Sequence, residues 1–188
     1  MKKLAFLLLA IAILAVNAGC GDAGDPAPPA SSSSSEAAKP APQLEDIFAK
    51  IHEAYGEDYL ATSPMPVEYI ENAYGLSADL YDEARGEMAA IIVHPDEIII
   101  VKAKPGKADE VEKALTATME RKKADTLQYP MNIPKTEASQ VFRNDDYVAY
   151  VLLGAPMKET GLVGENDAKN HFEAEVKKGI DAINSFFE

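Results

Sequence analysis

The sequence predicts an α+β fold: an antiparallel sheet built from two β-hairpins, with helices packed against it. Three observations carry this. Apolar residues recur at helical spacing near residues 44–55, 107–127 and 172–187. Two pairs of apolar, β-branched runs are split by the turn-forming segments "HPD" and "NDD". The resulting order is α, short α pieces, ββ, α, ββ, α, and hairpin-linked strands make antiparallel neighbours.

The amino terminus carries export features. Lys2 and Lys3 precede Leu4–Val16, an uncharged apolar run of 13 residues. As a helix it would be roughly 20 Å long, short of the ~30 Å hydrocarbon core. Its length suits the apolar region of a signal peptide, over residues 1–19. Two processing routes are open. One is secretory cleavage after Ala18. The other is lipoprotein processing at "NAGC", which resembles a bacterial lipobox. Cleavage between Gly19 and Cys20 would then leave Cys20 lipidated, as by palmitate, at the new terminus. Asn17 departs from that pattern, which favours Leu there. Cys20 is the only cysteine, and lipidation accounts for its place between a signal and a linker.

Residues 20–43 hold the lipidated Cys and a Pro/Ser/Ala linker. From Gly21 on, the linker has five of the twelve prolines, a run of serines at 31–35, and no aromatic or β-branched residue. Too little apolar surface is present to offset ordering entropy, so a disordered tether is expected. As a flexible coil it would span ~25–30 Å. A single α+β domain is expected over residues 44–188.

Leu44, Ile47, Phe48, Ile51 and Tyr55 form one helical stripe, closed by Gly56. Short helical pieces are expected at 67–73 and 78–85, the second capped by Ser77. "MAAIIV" (Met88–Val93) and "EIIIVKA" (Glu97–Ala103) predict a hairpin turning at Pro95 and Asp96. The second strand is apolar on both faces and so belongs at the centre of the sheet. Lys107 to Leu127 predicts a helix buried through Val111, Leu115 and Met119. "QVFR" and "YVAYVLL" predict the second hairpin. Phe172, Val176, Ile180, Ile183 and Phe187 predict a final helix capped near Asn166.

The formal charge is −13; removing Lys2 and Lys3 from the 18 basic residues leaves 16 against 31 acidic, near −15. Such a chain is repelled by phosphate backbones, which argues against nucleic-acid binding.

No Gly-rich phosphate loop, nucleophile elbow or His-Glu-x-x-His helix occurs. No catalytic, cofactor or metal residue is therefore assigned. His94, Asp96 and Glu97 put an imidazole and two carboxylates on one turn, as a metal site requires. A solvated turn with a charged strand start is the preferred reading. His52 borders the first helical stripe, and His171 is expected to be exposed. Asp145 and Asp146 fit a turn and lack the alternating ligands of a calcium loop. Tyr55, Tyr59, Tyr69, Tyr74 and Tyr81 crowd into 27 residues. Tyrosine suits interfaces and sugar-binding surfaces, but these five are expected chiefly to cover the sheet.

The run "VHPDEIIIVKAKPGKADEVEKAL", then "QYP", then "DDYVAYVLLG" resembles the domain of unknown function 4358 family, small lipoproteins of Gram-positive, Clostridia-like bacteria. The similarity covers roughly residues 44–154, and behind a lipobox and a Ser-rich linker it implies an envelope location. It supplies no activity, cofactor or catalytic residue. Together these features predict a lipoprotein on the extracytoplasmic face of the cell membrane. It would be held there by its amino-terminal lipid and act as a non-enzymatic binding or interaction module. The alternatives are an envelope-acting enzyme using carboxylates such as Asp96 and Glu97, and a solute-binding lipoprotein.

Overall fold

The computed structural model describes residues 41–157 and 164–188. Gly19, Cys20 and most of the expected linker lie outside the described residues.

Helix α1 (Leu44–Tyr55) buries Leu44, Ile47, Phe48, Ile51 and Tyr55, the expected stripe. Gly56, at φ 56°, ends it. A two-residue strand β1 (Ser63–Pro64) leads to α2 (Val67–Tyr74). Next come β2 (Tyr81–Met88) and β3 (Glu97–Ala103), then α3 (Ala108–Lys123). Helix α4 (Ile133–Ala138), β4 (Gln140–Asn144), β5 (Tyr147–Leu152) and α5 (Glu165–Asn184) complete the order.

The sheet order is β1-β2-β3-β5-β4, and every pairing is antiparallel. This is the α+β class with both hairpins, and β3 is central as its two-sided apolar pattern requires. Its alternate residues serve two cores. Ile98 and Ile100 join α1 and α5 on one face. Ile99 and Val101 join α2 and α3 on the other. All four are fully buried, each contributing roughly 1.5–3 kcal/mol.

The structure corrects several boundaries. Residues 78–85 are not helical: most of that stretch is β2, running through Met88, which pairs with β3 from Tyr81↔Ala103 to Met88↔Glu97. The expected first strand, Met88–Val93, is instead mostly the loop of residues 89–96. Helix α3 stops at Lys123, and α5 is capped at Gly164, not Asn166. Helix α4 and β1 had no sequence signal.

Candidate functional site

The 89–96 loop closes the β2–β3 hairpin, and the most chemically distinctive residues gather around it. Asp96 and Glu97 are not a solvated turn: they are 2% and 6% exposed. Because side chains alternate along a strand, they leave the chain toward opposite faces. Lys135 of α4 reaches Asp96 on the α5 side, Nζ to Oδ1 2.6 Å. It also donates to the Gly154 carbonyl at 2.7 Å and lies over the Phe172 ring. Burial pushes the Lys135 ammonium below its ordinary value, and Asp96 opposes that shift. On the other face Lys122 of α3 approaches Glu97, Nζ to Oε1 2.7 Å, and the Tyr74 hydroxyl donates to Oε2 at 2.7 Å. Burial, and then the Glu97 charge, drive the Tyr74 hydroxyl far above its usual range.

A cleft of about 440 Å³ opens beside this loop, lined by Tyr69, Ile92, His94, Asp96, Glu97 and Lys122 among others. A second, of about 410 Å³, shares His94 and Pro95 with it and is floored by Lys135, Pro134 and Phe172. His94 thus borders both clefts, and no carboxylate among the described residues pairs with it. Asp96 and Glu97 do not converge with it as a ligand set. Among the described residues, no group of three or more His, Cys, Asp and Glu side chains is placed to hold a metal. An acid–base pair of the glycosidase kind needs two carboxylates facing one substrate across about 5–10 Å. Here each carboxylate is turned away from the other and held by its own lysine.

The remaining candidates are dispersed. His52 lies at the edge of α1, half exposed, with Nε2 2.7 Å from Glu87 Oε2. Tyr59 donates to the same oxygen at 2.7 Å, and Arg85 to Oε1 at 2.9 Å. Burial alone would raise the Glu87 carboxyl; the bonds from Tyr59, His52 and Arg85 outweigh it and hold it below the usual carboxylate range. His171 is half-buried rather than exposed, with Nε2 2.9 Å from the Ala155 carbonyl; that nitrogen therefore carries the proton. Asp145 and Asp146 form the β4–β5 turn as expected, Asp145 at φ 48°. Tyr55, Tyr59 and Tyr74 are buried in the two cores, while Tyr69 remains open on the cleft wall.

The feature that sequence reasoning missed is the rim. Ile92 is 95% exposed, with Ile91 and Val93 beside it. Leu127, 93% exposed, and the exposed Tyr129 and Met131 belong to the segment between α3 and α4. Asn132 Nδ2 donates to the Val93 carbonyl at 2.9 Å, tying the two segments together. A run of β-branched residues reads as a buried strand, so the signal pointed the wrong way.

No helix among the described residues is long and apolar enough to cross a membrane. No curated protein and no solved structure matches the chain. The family model described as Domain of unknown function (DUF4358) matches residues 54–153, a span that includes the whole sheet, both lysine–carboxylate pairs and the apolar rim, and the chain belongs to that family.

Proposed function

We propose that this protein is a lipoprotein anchored through Cys20 on the extracytoplasmic face of the membrane, and that its domain is a non-enzymatic binding module. One observation supports the module most directly. The cleft and its rim sit at the end of the sheet where Glu97 pairs with Leu152. The chain joins the domain at the other end, where the Tyr147 hydroxyl donates to the Pro42 carbonyl at 2.8 Å. Tyr147 pairs with Lys102, five rungs along β3 from Glu97, or about 17 Å at ~3.4 Å per residue. The cleft and rim therefore lie at the end of the sheet opposite the point where the chain enters the domain, left open to a partner. The lysine-locked carboxylates favour binding over acid–base catalysis.

Replacement of Cys20 by Ser, followed by radiolabelled-palmitate incorporation and membrane fractionation, tests the anchor. Label in the wild type and none in the variant is expected. Unlabelled wild-type protein in the medium would instead establish secretory cleavage after Ala18.

A further inference from the structure

We infer that the cleft of about 440 Å³ beside the β2–β3 loop takes a small uncharged sugar, stacked on Tyr69 and hydrogen-bonded by Asp96 and Lys122. The inference rests on the binding-module reading and names the class of ligand.

The wall of the cleft offers a buried acceptor. Asp96 is 2% exposed and borders the cleft. Its Oδ1 is taken by Lys135, whereas Oδ2 has no hydrogen-bond partner among the described residues. Buried polar atoms are rarely left so, and a ligand hydroxyl would satisfy this one. Lys122 stands on the same wall, its side chain 30% exposed. An ammonium has three N–H groups, and the two Glu97 oxygens, at 2.7 and 3.0 Å, account for two. A further N–H can meet a ligand oxygen. Tyr69, 40% exposed, forms an aromatic wall, and the buried Tyr74 ring braces it edge-on, centroids 6.3 Å apart. The volume falls within the range of small-molecule sites, roughly 300–1,000 Å³.

Charge excludes the other classes. Asp96 and Glu97 each have their own lysine, so the wall holds no unpaired buried charge for an ammonium ligand. An anionic ligand would approach a chain of net charge −13. A purely apolar ligand would leave Oδ2 unsatisfied and desolvate Lys122 without a partner. A sugar is neutral. The hydroxyls along its edge both donate and accept, and its C–H face packs on an aromatic ring. One molecule thus meets the acceptor, the ammonium and Tyr69 together.

The test uses the chain from position 20 with Cys20→Ser, so that its outcome is independent of whether Cys20 is lipidated. The probes are glucose, galactose, N-acetylglucosamine and maltose, titrated by isothermal calorimetry. Saturable binding of at least one is expected, and because the ligand is uncharged it should not weaken as salt is raised. Tyr69→Ala should bind that sugar on the order of tenfold more weakly, with its thermal midpoint in buffer unchanged. Asp96→Asn should abolish binding, since the amide keeps an oxygen for Lys135 and puts a donor where Oδ2 accepted. Tyr69→Ala keeps the test decisive if Asp96→Asn fails to fold. Absence of binding by all four sugars would overturn the inference. So would undiminished binding by Tyr69→Ala. Salt-sensitive binding of glycine or lysine, with none of the sugars, would overturn the sugar and leave the binding module standing. Hydrolysis of bound maltose would uphold the sugar and overturn the non-enzymatic reading.

Discussion

Lys135 meets Asp96 across 2.6 Å with both side chains almost wholly out of solvent, 6% and 1% exposed. The pair ties α4 to the start of β3, and through the Gly154 carbonyl to the end of β5. Removing one partner from a buried pair strands the other charge, at a cost of about 3–5 kcal/mol. Lys135→Met is therefore expected to lower stability by that order in urea unfolding. Combining it with Asp96→Asn should recover part of the loss, because no buried charge then remains unpaired at nearly unchanged volume, while the Gly154 carbonyl still lacks its donor. A single variant as stable as wild type would mean that the pair does not hold α4.

Glu87 gives a pH dependence of definite sign. Its carboxyl is held below the ordinary value of 4.5 by Tyr59, His52 and Arg85, against the opposing effect of burial. A depressed carboxylate contributes stability that is fully present above its unfolded value and is lost as pH falls through the lower folded value. The gap in urea midpoint between wild type and Glu87→Gln should persist from neutral pH down to about 4.5. It should begin to narrow as pH drops below about 4.5. A constant gap from pH 7 to pH 3 would show that the fold does not favour the charged form.

The legible parts of this chain are those where local pattern and tertiary environment agree. The stripe from Leu44 to Tyr55 gave α1, and the two-sided apolar pattern of Glu97–Ala103 gave the central strand. Strand β2 was illegible because only two of its rungs are covered by β1. Its open side admits Asp82, Glu83 and Arg85, while Leu80, Tyr81 and Ala84 mimic helical spacing. Pairing with β3 overrides that spacing. The rim was misplaced for the converse reason: Ile91, Ile92 and Val93 have strand chemistry but no strand opposite them. The burial of Asp96 and Glu97 was invisible because their partners, Lys135 and Lys122, lie 39 and 25 residues away.

Gly179 lies within α5, where glycine normally costs about 0.5–1 kcal/mol relative to alanine. Here the sign should reverse. A Cβ at this position would stand 2.9 Å from the Tyr55 hydroxyl and 3.2 Å from Val151 Cγ1. The hydroxyl is held in place by donating to the Glu175 carbonyl, and Val151 is fully buried in β5. Gly179→Ala is expected to destabilise by about 1–3 kcal/mol through overpacking between α5, α1 and the sheet. Gly179→Ala combined with Tyr55→Phe should regain part of this by removing the nearest atom. A more stable Gly179→Ala protein would indicate that α5 can lift from the sheet freely.

Asp145 is the one non-glycine among the described residues with a positive φ, 48°, in the turn between β4 and β5. The left-handed conformation costs an L-residue roughly 1–2 kcal/mol, less for Asp and Asn. Glycine removes that strain but loses more entropy on folding. Asp145→Gly is therefore expected to change stability by no more than about 0.5 kcal/mol, toward greater stability. The Asp145 carbonyl that accepts from Arg143 Nε at 3.1 Å is backbone and survives the change. A β-branched residue has neither the local hydrogen bonding nor the steric freedom, so Asp145→Val should destabilise by about 1–2 kcal/mol. The comparison of the two variants, by urea unfolding at neutral pH, isolates backbone strain from loss of the carboxylate, since both remove it. Equal stability of the glycine and valine variants would mean that the turn relaxes to a negative φ at no cost.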